Sequence, residues 1–221
     1  MLAIFDIDGT LCDSSEDEVK PFVQSIFEVT GIQLEDADWT RFKHPTSSGV
    51  VDELLKNDPE REYKTLAIEN RFVQLMEDFL EDIPESFSPV QGAPRFIDYL
   101  LKNTAYEVAI ATGCFKSEAA FKLDCIGMDI EKFTYATSSD FSSREKVLRL
   151  VAKRAGHPLS SVVYFGDASW DIQASQNIGI PLIGIGSNEE LFAEHERIPH
   201  FPDFSEPERV LKALETTPFY Q

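Results

Sequence analysis

The sequence predicts an α/β fold: a doubly wound parallel sheet with a small all-α domain inserted after the first strand. Three observations predict it. Short apolar runs stop abruptly at polar loops, helix-period segments alternate with strands from residue 90 onward, and the stretch from about Asp13 to Ser88 is helix-periodic with no convincing strand.

Leu2 to Asp6 is the first such run, ending in Asp-Ile-Asp-Gly-Thr, the way a buried strand stops at a polar loop. Tyr106 to Ala111, Ser161 to Phe165 and Pro181 to Ile185 repeat the shape, ending at Thr112-Gly113, Gly166-Asp167 and Gly186-Ser187. Apolar runs without polar alternation are expected where helices cover both faces of a parallel sheet. The helical patterns between them carry the expected punctuation, Pro near a start and Gly past an end. Arg95 to Lys102 follows Pro94, Ser117 to Ile126 follows a turn, Arg144 to Ala155 stops at Gly156, and Trp170 to Ile178 stops at Gly179.

Within the insert, Ile68, Phe72, Leu75, Met76, Phe79, Leu80 and Ile83 recur at the spacing of one helix face. Val19, Phe22, Val23, Ile26 and Phe27 mark an earlier helix whose start Pro21 leaves open. The expected division is a core over residues 1–12 and 89–221 and a helical cap over 13–88, with Glu85 to Pro89 as the return linker.

The chain has 221 residues, enough to bury a full core. With 39 acidic and 20 basic residues its formal charge is −19, which repels nucleic acid and anionic lipid surfaces. Any phosphorylated substrate then needs positive potential supplied locally, by a metal ion, cations or helix N-termini. No apolar window approaches the roughly 18 residues of a membrane span, and Met1 to Phe5 lacks the cationic flank of a secretory signal. Three cysteines without a CxxC pair fit a reducing compartment, so the expected location is the cytoplasm.

In open parallel sheets ligands bind at the carboxyl ends of the strands. Three predicted strand ends deliver reactive groups there: Asp6 with Asp8, Thr112, and Asp167 with Asp171. Any one such acid taken alone is more often a cap or turn residue, and it is the convergence that points to chemistry.

Asp6-Ile7-Asp8-Gly9-Thr10-Leu11 resembles the DxDGT signature of haloacid dehalogenase-like phosphatases. Thr112 resembles their second motif and Gly166 to Asp171 their GDxxxD motif, in the family's order along the chain. A helical cap between the first two motifs is found in one large branch, which includes phosphoglycolate-phosphatase-like members. The resemblance implies a magnesium-dependent phosphatase acting on a small phosphorylated metabolite, with Asp6 as nucleophile and Asp8 as general acid and then base. It implies Mg²⁺ held by Asp6, Asp167 and the backbone carbonyl of Asp8, with Asp171 a ligand directly or through water. The competing reading of Asp171 is a first-turn acid favoured by the helix dipole. Thr112 and Gly113 would meet the phosphate.

The family's third motif is a cation, and Arg144 fits it best, with Lys146 as the alternative. Arg41, Lys43 and His44 resemble a substrate-facing cap loop, and each also reads as a solvated loop residue. Cys114 reads as a packing residue, with no histidine nearby to activate it, and Trp170 as a packing or lid residue. Asp8 argues against a dehalogenase, which needs no acid at that place. A sugar-phosphate mutase and a non-catalytic phosphate-binding module are the alternatives.

Overall fold

The computed structural model describes residues 1–14, 19–34 and 38–217. Its centre is a six-stranded, all-parallel sheet. The strands are β1 (Leu2–Phe5), β4 (Glu107–Ala111), β5 (Thr134–Ala136), β6 (Val162–Gly166), β7 (Leu182–Ile185) and β8 (His200–Phe201), in spatial order β5-β4-β1-β6-β7-β8. From the central β1 the chain builds outward through β4 to β5, then returns beside β1 to build β6, β7 and β8. The switch point of the topology therefore lies at β1, where a ligand site is expected.

Alternation along β1 shows why its sequence is apolar throughout. Ala3 and Phe5 join one buried cluster while Leu2 and Ile4 join another on the opposite face. The second cluster is closed by α6 (Arg144–Arg154) and α7 (Ser169–Ile178), which contribute Val147, Leu148, Val151 and Ile172. The first is closed by α4 (Ala93–Asn103) and α5 (Lys116–Cys125) and is rich in phenylalanine. Phe5 stacks on Phe165 at 4.3 Å between centroids, and Phe96 on Phe204 at 5.0 Å. Gly92, with φ +81°, starts α4, and a Cβ there would fall 2.6 Å from the Phe204 carbonyl oxygen.

Between the first and second motifs lie α1 (Val19–Thr30), α2 (Ser47–Leu54) and α3 (Arg61–Asp82). Pro21 sits in the first turn of α1, where its missing N–H costs nothing. In α3 the predicted face is borne out by Ile68, Phe72, Leu75 and Met76, all buried, whereas Ile83 lies beyond the helix and is exposed. Ile68, Phe72 and Met76 continue the same apolar cluster as Phe5 and Phe96, so the inserted helices pack on the sheet domain instead of hanging from it.

The structure corrects the sequence expectation at several short elements. The segment expected as a return linker contains β3 (Phe87–Pro89), which pairs antiparallel with β2 (Cys12–Ser14). Two- and three-residue strands such as β2, β3, β5 and β8 are too short to show periodicity. The C-terminal helices α8 (Glu189–Ala193) and α9 (Pro207–Thr216) were also beyond the expected elements. Among the described residues no helix is long and apolar enough to cross a membrane.

Candidate active site

Asp6 follows β1 directly and is 2 % exposed. Its Oδ1 accepts the Ile7 N–H at 2.8 Å and its Oδ2 accepts from Arg144 Nη1 at 2.8 Å. Burial pushes its pKa up to about 7; Arg144 opposes that rise while Asp171 and Asp8 add to it. The carboxylates of Asp6, Asp167 and Asp171 each bring an oxygen within 4.8 Å of the others. Burial, followed by these acidic neighbours, holds Asp167 well above the usual carboxylate range.

Gly9 shows how the loop after β1 admits Asp167. It has φ +65°, and a Cβ there would fall 2.1 Å from Asp167 Oδ2, so both the turn and the approach require glycine. The loop is closed by hydrogen bonds from the Gly9 N–H to the Cys12 carbonyl and from the Leu11 and Cys12 N–H groups to the Ile7 carbonyl.

Asp171 is fully buried at the start of α7. Its Oδ2 accepts the N–H groups of Asp167 and Ala168 at 3.2 and 3.1 Å. Its Oδ1 accepts from the Tyr164 hydroxyl at 2.7 Å and faces Arg144 Nη1 at 3.1 Å. Asp171 thus caps the start of α7, as the first-turn reading expects, and stands beside Asp6 and Asp167 with both oxygens engaged by protein groups.

Arg144, not Lys146, meets the acids. Ser143 caps α6, directing Arg144 inward, where Nη1 faces Asp6, Asp171 and Tyr164. Its Nη2 lies beside Gly113, where a Cβ would come within 2.5 Å. Lys146, two residues on, lies instead over the Phe141 ring. Gly113 lines the adjoining cavity, whereas Thr112 is buried behind it, its hydroxyl accepting the Cys114 N–H at 3.2 Å.

Asp8 has a partner the sequence reading missed. Lys122, 1 % exposed on α5, reaches Asp8 Oδ1 at 2.7 Å and Glu118 Oε1 at 2.9 Å. Burial tends to raise the pKa of Asp8, but Lys122, with Cys114 and Arg144, outweighs it and holds the group below the usual range. Glu118 Oε2 in turn accepts from the Phe115 N–H and from the hydroxyl of Ser47 on α2, which links the inserted helices to Asp8 through one chain of contacts. Cys114 donates to Asp8 Oδ2 at 3.0 Å. Burial and the neighbouring Asp8 and Glu118 push its thiol well up, so it stays protonated and is no nucleophile.

A signal for Lys122 was present. Phe115, Glu118, Ala119, Lys122 and Leu123 follow helical spacing, and the three apolar members are fully buried, so the charged pair lies within an apolar stripe.

A cavity of about 310 Å³ opens over Asp6, Asp8, Asp167 and Arg144, at the low end for small-molecule sites. The inserted segment supplies its outer wall through Trp39, Pro45, Thr46 and Ser47, and Trp170 closes the core side. Arg41, Lys43 and His44 are not among the lining residues. Arg41 lies over the Phe42 ring at 5.0 Å, Lys43 is exposed with its N–H bound to Glu53, and the His44 carbonyl accepts the Thr46 N–H.

The donor set fits a small divalent cation. Three clustered carboxylates face one guanidinium, leaving negative charge in excess, and all are hard oxygen donors of the kind magnesium takes. The second acidic grouping, Asp8 with Cys114 and Glu118, already surrounds the Lys122 ammonium.

A family model described as haloacid dehalogenase-like hydrolase matches residues 3–185. The chain belongs to that family, and it is an enzyme of the phosphatase kind. A phosphoglycolate phosphatase of Neisseria meningitidis is 26 % identical over 186 residues, covering 82 % of this chain and 78 % of its own. A hydrolase from Pseudomonas syringae superposes with a TM-score of 0.71 at 22 % identity, covering 97 % of each chain. CbbY from Rhodobacter sphaeroides, solved with xylulose-(1,5)bisphosphate, has a TM-score of 0.71 at 17 % identity and covers 93 % of this chain and 95 % of its own.

Proposed function

We propose that this enzyme hydrolyses a small phosphate monoester with magnesium, through an aspartyl phosphate on Asp6. The observation that carries the reading is the meeting of Asp6, Asp167 and Arg144 at the carboxyl ends of β1 and β6, beside the cavity. Residues 13–88 form the cap domain in this reading, and residues 1–12 and 89–221 the catalytic core.

Asp6 leaves β1 first, so its carboxylate attacks phosphorus and the alcohol departs. Arg144 fixes Asp6 through Nη1 and offers Nη2 beside Gly113 to a phosphoryl oxygen. Asp6, Asp167 and the backbone carbonyl of Asp8 would hold the magnesium, which would supply positive charge to neutralise the phosphoryl group. Asp171, with both oxygens already accepting protein hydrogens, orients Arg144 and the Asp167 backbone and acts on the metal through them.

Asp8 donates a proton to the leaving oxygen, then removes one from the water that cleaves the aspartyl phosphate. Lys122 favours its ionised form, which suits the second step and opposes the first, so the proton given to the leaving oxygen is one Asp8 takes up as the anionic phosphate binds beside it. The Neisseria relative's name and the sugar bisphosphate in the CbbY title support a small phosphorylated substrate. The test is p-nitrophenyl phosphate hydrolysis with and without magnesium: turnover that vanishes on chelation and returns with magnesium is expected, and full activity after thorough chelation overturns the metal role.

A further inference from the structure

We infer that the substrate is the phosphate ester of an uncharged, apolar, ring-bearing alcohol, not of a hydroxy acid or a sugar. This inference rests on the phosphatase reading above and concerns the half of the cavity that meets the leaving group.

Beyond the acids, the cavity is walled by Val19, Phe22, Trp39, Pro45, Val50 and Phe72, all from the inserted segment. Phe22 is the centre of an aromatic set, edge-on to Trp39 at 5.5 Å and to Phe72 at 5.1 Å. Phe22, Val50 and Phe72 are almost fully buried in place, so this surface is a fixed wall of the site. Aromatic edges and faces arranged in this way gain most from a flat apolar group.

Charge excludes a second anion on the substrate. Among the described residues the lining contains four carboxylates, Asp6, Asp8, Glu118 and Asp167, against two cations, Arg144 and Lys122. Lys122 is engaged by Asp8 and Glu118, and Arg144 by Asp6 and Asp171 through Nη1, with its Nη2 given to the phosphoryl group in the phosphatase reading. A divalent metal ion offsets that excess and the phosphoryl group restores it. A carboxylate or second phosphate on the leaving group would then be buried without a counter-charge. Lys20, Arg41 and Lys43, cations close in sequence to lining residues, are exposed and lie outside the lining.

Hydrogen bonding disfavours a sugar. The Thr46 hydroxyl donates to the Ser142 carbonyl at 2.8 Å and accepts the Gly49 N–H at 3.0 Å. The Ser47 hydroxyl donates to Glu118 at 2.7 Å. The Thr46 and Ser47 hydroxyls are thus engaged within the protein, and the apolar cap-side wall offers a polyhydroxylated leaving group no hydroxyl donor in exchange for the water it loses.

The test compares kcat/KM for benzyl phosphate, ethyl phosphate, 2-phosphoglycolate and glucose 6-phosphate, whose leaving groups are all alcohols, with magnesium present. Calorimetry of the magnesium-loaded enzyme with benzylphosphonate and phosphonoacetate supplies a readout independent of turnover. Benzyl phosphate is expected to exceed each of the others by at least about tenfold, and benzylphosphonate to bind at least about tenfold more tightly than phosphonoacetate. Trp39→Ala should shrink the benzyl-to-ethyl ratio severalfold, and an unchanged ratio would remove Trp39 from the contact and overturn the aromatic-wall argument. Equal or better use of phosphoglycolate or glucose 6-phosphate overturns the inference while leaving the phosphatase reading intact. No turnover of any ester, with benzylphosphonate still preferred, sinks the phosphatase reading and supports the ligand class. No turnover and no preference sinks both.

Discussion

Replacing Lys122 by methionine keeps the length of the side chain and removes an ammonium group held between Asp8 at 2.7 Å and Glu118 at 2.9 Å. Lys122 and Glu118 are 1 % and 5 % exposed, so that pair is desolvated, whereas Asp8, 40 % exposed to the cavity, is partly screened by water. Removing one member of a buried pair costs about 3–5 kcal/mol, chiefly because the other charge is left uncompensated. Glu118 keeps the Phe115 N–H and the Ser47 hydroxyl as donors, which places the expected loss near the lower end, at about 3 kcal/mol. Adding Glu118→Gln removes the orphaned charge while preserving an acceptor for those donors. The double variant should therefore recover about 1 kcal/mol or more of that loss. Urea unfolding of the wild type, both single variants and the double variant, followed by circular dichroism, measures each term. A loss under about 1 kcal/mol for Lys122→Met, the range of exposed pairs, would refute the reasoning. A double variant less stable than Lys122→Met would do the same. The wild-type advantage also has a pH signature. Because Asp8 lies below its ordinary value of 3.8, its contribution is present above that pH and is lost as pH falls through the lower folded value.

The other predictions concern the acids and Arg144. Asp8→Asn should slow an alkyl phosphate roughly 10²- to 10⁴-fold and p-nitrophenyl phosphate much less, since nitrophenolate departs without a proton; equal losses would mean that Asp8 is not the acid of the first step. Arg144→Lys should lower kcat/KM by roughly 10²-fold because a single ammonium cannot serve Asp6, Asp171 and a phosphoryl oxygen together, whereas Lys146→Ala, over Phe141, should change it less than about threefold. The reverse ranking would move the third motif to Lys146. In metal-free protein, the stability owed to the raised pKa of Asp6 is fully present below pH 3.8 and is lost as pH rises through about 7. Thermal midpoints should accordingly fall across that interval, less steeply in Asp6→Asn, and parallel slopes for the two proteins would contradict the assignment.

The sheet and its reactive strand ends were legible because the information is local. Leu2 to Phe5 is an unbroken apolar run, and Asp6, Asp8 and Gly9 follow within a few residues, so strand, loop and acids can be read together. Arg144 was legible through its place behind a serine cap and ahead of an apolar helix face. Lys122 and Glu118 were passed over, because an i, i+4 pair of opposite charge ordinarily marks a solvated helix surface, and the apolar stripe of Phe115, Ala119 and Leu123 around it was the one contrary sign. Only the packing of α5 against the sheet and the inserted helices turns that pair inward. The cap loop misled in the opposite sense. Arg41 and Lys43 draw attention as cations, yet long charged side chains remain in water at little cost, and the cavity wall is made by their less conspicuous neighbours Trp39 and Pro45. The strands β5 and β8 escaped because hydrogen bonding to β4 and β7, not sequence pattern, defines them.

The central claim is that Asp6 carries the phosphoryl group, and trapping the acyl phosphate tests it most directly. Enzyme turning over a substrate with magnesium is quenched in acid, reduced with borohydride, which converts an aspartyl phosphate to homoserine, and digested for mass spectrometry. The account predicts homoserine at Asp6 alone, dependent on substrate and absent from Asp6→Asn. Homoserine at Asp8 or Asp167, or none at any position while a parallel unquenched sample is turning over rapidly, would contradict it.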